Sequence, residues 1–261
     1  MIEALKDLVR HRDLLYMLTW KEVRIRYKQS VMGFLWALLM PLMIVSAGVL
    51  MKQAYALSTH KYVDMQDVLS VSVKAVLWAF FVSAVKFGSN SLIANTNLVT
   101  KIYFPREVLP LACVFANFFD FLIAAGFLSA LVLVAHVALS LQLLWVPLIV
   151  GVLVTITVGA SVLLSCANLF FRDVKYIVEV VFTYGILFTP VLYSARTFGK
   201  WAPALLLNPV GSVMESINDV VVLRQPPNLI WLGYAAASGV ASVALAWLIF
   251  KKAEPSFAQE I

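Results

Sequence analysis

Two stretches of this chain carry no charged side chain at all, Val137 to Phe171 and Gln225 to Phe250. A helix needs roughly 20 apolar residues to cross the hydrocarbon of a bilayer, and both stretches exceed that. An ordinary buried core does not ask for runs so long. The rest of the chain agrees: 62% of its 261 residues are hydrophobic and 13% are charged. A soluble globule wets its surface with about 25% charged residues, so both a soluble domain and a disordered segment are excluded. The fold class expected is all-α, a polytopic membrane protein.

Hydropathy predicts six transmembrane helices, at about 31–51, 70–94, 108–136, 143–168, 177–195 and 229–250. Counting Lys and Arg in the connections tests this arrangement. Segments 1–30, 95–107, 169–176 and 251–261 fall on one side and hold thirteen basic residues, whereas the other side holds five. The bias places both termini in the cytoplasm, with residues 31–250 as a six-span domain and 251–261 as a cytoplasmic tail. Ala54-Tyr55-Ala56 imitates a signal-peptide cleavage site, but the apolar run before it is twice too long for one. The mature protein is therefore expected to begin at or near Met1. The net charge of +6 reflects this topology, and nucleic acid is not an expected partner.

Residues 1–30 differ from the remainder and hold seven of the twenty basic residues. Tyr16, Trp20, Val23 and Tyr27 recur at helical spacing, with Lys21, Arg24 and Lys28 on a neighbouring stripe. Aromatics beside a basic stripe suit an amphipathic interfacial helix lying among headgroups, with membrane lipids as its partner. A soluble helix packed on a partner would show the same pattern. On the other side of the membrane, Pro203, Pro209, Gly211, Pro226 and Pro227 break 196–228 into short apolar pieces. Such pieces read as a re-entrant external segment between spans 5 and 6, or as an ordinary surface loop.

Little catalytic chemistry is legible. No GxxxxGK[ST], GxSxG, HExxH or CxxC motif occurs. Cys113 and Cys166 lie inside apolar blocks and read as small buried hydrophobes, and the three histidines show no ligand spacing. No catalytic, cofactor or metal residue is expected in this chain, so pumping would need a partner or an ion gradient. A gradient-driven carrier keeps ionisable groups at mid-membrane. Lys74 and Glu179 lie near span ends, where they can snorkel. Lys86 and Asp120 lie deeper and at similar depth in the hairpin of spans 2 and 3, so they are expected to pair. One such pair makes a poor proton relay.

The connection between spans 2 and 3 is more informative. Residues 97–107 mix apolar and charged side chains where a simple turn would be polar and Gly-rich. Exposed apolar groups on a short cytoplasmic segment suggest docking into a partner's groove.

Four blocks now carry a resemblance. They are Arg26-Tyr27-Lys28-Gln29-Ser30-Val31-Met32-Gly33-Phe34-Leu35-Trp36, Lys101 through Leu111, Phe170-Phe171-Arg172-Asp173 with the span to Ser194, and Leu207-Asn208-Pro209. In order and spacing the chain resembles the permease subunits of bacterial ABC exporters for polysaccharides: O-antigen, capsule and teichoic acid. Met32 stands where the family more often has Leu, and Leu77 precedes Trp78 where Pro is common.

The resemblance implies a homodimer in the bacterial inner membrane, bound by two copies of a separate ABC ATPase subunit that holds ATP and Mg. Its cargo would be a lipid-linked glycan such as a lipopolysaccharide O-antigen. By the same resemblance, Lys101, Ile102, Tyr103, Phe104, Pro105, Arg106 and Glu107 would couple to the ATPase, and 197–224 would form an external gate. A hydroxyl-rich polymer cannot cross hydrocarbon without losing hydrogen bonds to water, so a continuous channel is required. Phe115, Phe118, Phe119, Phe188 and Tyr193 are candidate rings for its wall, or ordinary packing residues. An ABC drug or lipid exporter permease is the nearest alternative, disfavoured by the four blocks. A gradient-driven secondary transporter is disfavoured by the lack of internal repeats.

Overall fold

The structure, a computed structural model, describes residues 11–28, 35–59, 64–102, 104–134 and 140–257. Among these residues every regular element is helical. Helix α1 spans Arg12–Lys28, α2 Leu35–Thr59 and α3 Met65–Ser89; the short helices α4 (Ser91–Ala94) and α5 (Thr96–Lys101) follow. Next come α6 (Val108–Val134), α7 (Val146–Phe170), α8 (Val174–Phe188), α9 (Ala202–Leu206), α10 (Pro209–Val221) and α11 (Leu229–Ala253). Parts of the expected segments lie outside the described residues, namely 1–10, 29–34, 60–63, Tyr103, 135–139 and 258–261.

Among the described residues four helical stretches are long and apolar enough to cross a membrane: Met65–Ser89, Val108–Ala130, Leu141–Phe170 and Leu229–Ser256. This is a multi-pass helical membrane protein. The other two expected spans differ from their hydropathy outlines. The apolar part of α2 is shorter, Leu38–Ala54. Helix α8 has 15 residues, about 22 Å at 1.5 Å per residue, against roughly 30 Å of hydrocarbon. Its expected continuation to 195 fails for a local reason. A proline disfavours helical backbone in the residue before it, and Thr189, which precedes Pro190, is extended at φ −107° and ψ 135°.

Helix α3 is the centre of the bundle and packs against α2, α6, α7, α8 and α10, while α11 lies along α7. Without a hydrophobic force between helices in lipid, close approach depends on small residues. A Cβ at Gly88 would come within 2.7 Å of Ser161 on α7. One at Gly159 would strike Ser242 on α11, whose backbone carbonyl carbon is 2.9 Å from that position. Gly→Ala at either site would push two helices apart.

Two apolar clusters form the core. The larger one holds α3 together with Ile149, Leu153, Val213, Met214 and Ile217. The smaller one gathers Leu92, Val99, Phe104, Leu109, Cys166, Leu169, Phe250 and Phe257, with Leu14 and Leu18 of α1 against it. The Lys- and Arg-rich connections thus meet at one end of the bundle, and the 190–228 region packs at the other. There α10 is nearly swallowed: every residue from Val210 to Val220 is buried. Its start explains the Leu207-Asn208-Pro209 block. The Asn208 side chain accepts from the Val210 amide at 3.1 Å, and Pro209 takes the first helical position, where no N–H is needed.

Candidate functional site

Three polar constellations interrupt this apolar bundle. The most buried lies at the end opposite the basic connections. Lys74 of α3 has no exposed side-chain surface and pairs with Glu215 of α10 at 2.8 Å. Its ammonium also donates to the Tyr193 carbonyl at 3.0 Å. Glu215 in turn accepts from Ser194 Oγ at 3.1 Å and from the Ala195 amide at 3.2 Å. One turn further along α10, Asp219 pairs with Arg196 at 2.6 Å. The effect is to tie α3, the 193–196 turn and α10 together through satisfied charges. Lys74 therefore does not snorkel, as its place near a span end suggested. A signal was present in the sequence, since Glu215 and Asp219 stand four apart and would share one face of a short apolar helix.

The second constellation fastens α1. The Arg26 guanidinium donates to Asp120 at 2.8 Å and to Asn117 at 2.9 Å, both on α6. It lies 4.1 Å from the centroid of the Phe87 ring. Tyr27 donates its hydroxyl to the other Asp120 oxygen. Burial, reinforced by that bond and by the Asp120 charge, pushes the Tyr27 phenol well above the usual tyrosine range, so it remains a donor. These groups floor a cavity of about 340 Å³ whose walls include Val76, Phe80, Phe121 and Ala124.

This overturns the expected pairing of Lys86 with Asp120. Equal depth was not enough, because Arg26 reaches Asp120 from outside the hairpin. Lys86 instead faces Glu179 of α8 at 3.9 Å. A double-mutant cycle on Lys86→Met and Asp120→Leu should be additive within about 0.5 kcal/mol. Arg26→Met with Asp120→Leu should couple by about 0.5–3 kcal/mol. Unfolding in detergent measures both, and coupling confined to the Lys86 cycle would refute the assignment.

The amphipathic pattern of α1 is also re-sorted. Val23 is buried and Tyr27 turns toward α6, whereas Tyr16 and Trp20 share the exposed face with Lys21, Arg24 and Lys28. The Arg24 guanidinium stacks 5.7 Å from the Trp20 ring centroid. The two expected stripes are therefore one mixed outer face, and Leu14, Leu18 and Val23 form the inner one.

The third constellation is the 97–107 segment. Phe104 and Glu107 are not available for docking, since they are 8% and 1% exposed. Phe104 sits in the smaller core cluster, and Glu107 pairs with Lys251 at 2.9 Å. Arg106 donates to the Glu254 carbonyl at 2.7 Å. The exposed face belongs to Asn97, Thr100, Lys101 and Ile102, with Ile102 54% exposed. An apolar ring in a water-facing turn lowers its free energy by folding inward, and Phe104 has done so.

The five aromatic candidates for a channel wall separate. Phe118 packs against Phe80 and Phe121 at 5.8 and 5.6 Å between centroids, so it serves the core. Phe115 and Phe119 are exposed on α6. Tyr193 packs on Phe198 at 5.1 Å and donates to the Leu187 carbonyl. Phe188 lines a cleft of about 470 Å³ with Trp78, Phe81, Tyr184 and Asn208, and none of the other four lines it. Along the cleft and past it, α8 leaves Tyr176, Ile177, Val180, Val181, Tyr184 and Leu187 uncovered. The same helix carries exposed Glu179, a costly group against lipid unless water or protein covers it.

Comparison with known proteins follows the same direction. Residues 13–221 match the family described as ABC-2 type transporter. Over 268 residues the chain is 28% identical to a Myxococcus xanthus protein named O-antigen export system permease protein RfbA, covering 100% of both chains. It is 28% identical over 250 residues to a Klebsiella pneumoniae protein of the same name, covering 95% of this chain and 94% of that one.

Proposed function

Because the chain belongs to the ABC-2 type transporter family, we propose that it is the channel-forming permease of an ATP-driven exporter that moves a lipid-linked polysaccharide across the bacterial cytoplasmic membrane. The observation that carries this reading is the end-to-end similarity to proteins named as O-antigen export permeases.

The working unit is a homodimer, with two ATPase subunits binding ATP and Mg at the basic end. In this reading α2 and α8 complete six spans, and both termini are cytoplasmic. The uncovered face of α8 supports the pairing of two subunits, since it keeps Glu179 away from lipid. Helix α1 lies along the inner leaflet with its aromatic and basic face outward. The α9–α10 hairpin is the external gate. Its second helix is buried from Val210 to Val220 and packs on α3, α7 and α11 at the end opposite the basic connections. The ATPase docks on Asn97, Thr100, Lys101 and Ile102.

The isolated, purified chain should hydrolyse no ATP above background, while the complex with its ATPase subunit should. Deleting the chain's gene should abolish surface glycan and leave lipid-linked glycan inside the cell. Robust hydrolysis by the chain alone, or normal surface glycan without it, would overturn the proposal.

A further inference from the structure

Helix α11 is followed by a turn that folds back onto the bundle. Past Lys251 and Lys252 the chain tightens into a 3-10 turn over Glu254–Ser256 and brings Phe257 back into the protein. Phe257 is fully buried, with ring contacts to Phe250 at 5.1 Å and Phe170 at 6.0 Å between centroids. A phenylalanine so close to two lysines and a glutamate would be solvated in an unstructured tail. Here it is a plug.

The charged groups around the plug join it to residues 104–107. Arg106 donates to the Glu254 carbonyl at 2.7 Å and holds its guanidinium 5.7 Å from the Phe257 ring centroid. Lys251 bridges Glu107 at 2.9 Å and Glu254 at 3.0 Å. Phe104 completes the same apolar cluster. Residues 104–107 are thus fastened by the turn after α11, immediately beyond the exposed face of α5 and Ile102. On the other flank α5 is held by buried Val99 and, through Asn95, by the Lys21 ammonium at 2.8 Å. A push on Ile102 reaches α6 only if 104–107 does not yield.

We propose that the Glu254–Phe257 turn is a clasp that holds the ATPase-facing segment in position, with Phe257 as a positioning residue for coupling. The proposal rests on the reading of Asn97–Ile102 as the docking face. Without the clasp the partner still meets α5, but 104–107 gives way and less of the stroke enters the spans.

The test uses the full complex in membranes, with a photo-reactive benzoylphenylalanine replacing Ile102. The chain with an intact clasp should cross-link to the ATPase subunit. Phe257→Ala should keep that cross-link yield within twofold and lower the transport-coupled hydrolysis at least fivefold per inserted chain. Phe257→Leu, which keeps the plug apolar and is the fold-preserving arm, should recover more than half of the hydrolysis. Arg106→Lys, which keeps the charge but loses the flat fork, should lower it two- to threefold. Unchanged hydrolysis in Phe257→Ala, or a cross-link lost with it, would overturn the clasp. Absence of any cross-link from the chain with an intact clasp would overturn the docking face itself, and the clasp with it.

Discussion

Replacing Lys74 with Met, or Glu215 with Leu, should destabilise the folded chain by about 3–5 kcal/mol, the cost of stranding one member of a buried ion pair. The two groups meet at 2.8 Å with Lys74 fully buried and Glu215 only 9% exposed. Neither survivor can reach water without moving α10, which is itself buried from Val210 to Val220. The double replacement should cost much less than the sum, because it removes both charges together. It should not be neutral, since Ser194 Oγ, the Ala195 amide and the Tyr193 carbonyl each lose a partner. Those losses amount to about 1 kcal/mol per bond at most sites. Unfolding of the four chains in detergent micelles closes the cycle. Additive losses would mean that the pair is not a unit, and that α10 is held by apolar packing alone.

Phe104→Ala should cost about 3–5 kcal/mol, the usual range for deleting a buried ring, and should show first as lower membrane yield and a lower unfolding midpoint. Ile102→Asp, two positions earlier, should change stability by only about 0.5 kcal/mol because Ile102 is mostly exposed. The order reverses for the partner. Ile102→Asp should remove most of the ATPase subunit from affinity-purified complexes, while Phe104→Ala, corrected for the folded fraction, should retain it. A stable Phe104→Ala chain that loses the ATPase would make Phe104 a contact residue and contradict its burial. The contrast matters because the apolar-charged composition of 97–107 gives every residue in it the same standing as a docking candidate.

The membrane class, the helical architecture and the two-sided sorting of connections were all legible in one dimension. They follow from local quantities: run length against bilayer thickness, and where Lys and Arg accumulate. The start of α10 lay in local chemistry as well, since the Asn208 side chain caps the amide two residues on, but the block entered the reading only through the resemblance. The limit of α8 was readable as well, but hydropathy overran it because Ile186, Leu187, Phe188, Val191 and Leu192 on either side of Thr189-Pro190 keep the window average high.

Partner choice is a different kind of quantity. Asp120 was matched to Lys86 by depth, and depth along the membrane normal is all that a span diagram supplies. Arg26 won because α1 folds against α6 and delivers a planar donor with Asn117 and Tyr27 beside it. Lys74 looked free to reach water until α10, 135 residues and more away in sequence, closed over it with Glu215. Phe104, Arg106 and Glu107 read as an exposed docking patch until the turn after α11 covered them. The sequence by itself determined that the chain enters the membrane as helices and which end is basic, because those depend on side-chain transfer energies summed along the chain. Only the tertiary structure decided which charges neutralise each other and which apolar residues remain outside, because both depend on distances between segments that hydropathy does not encode.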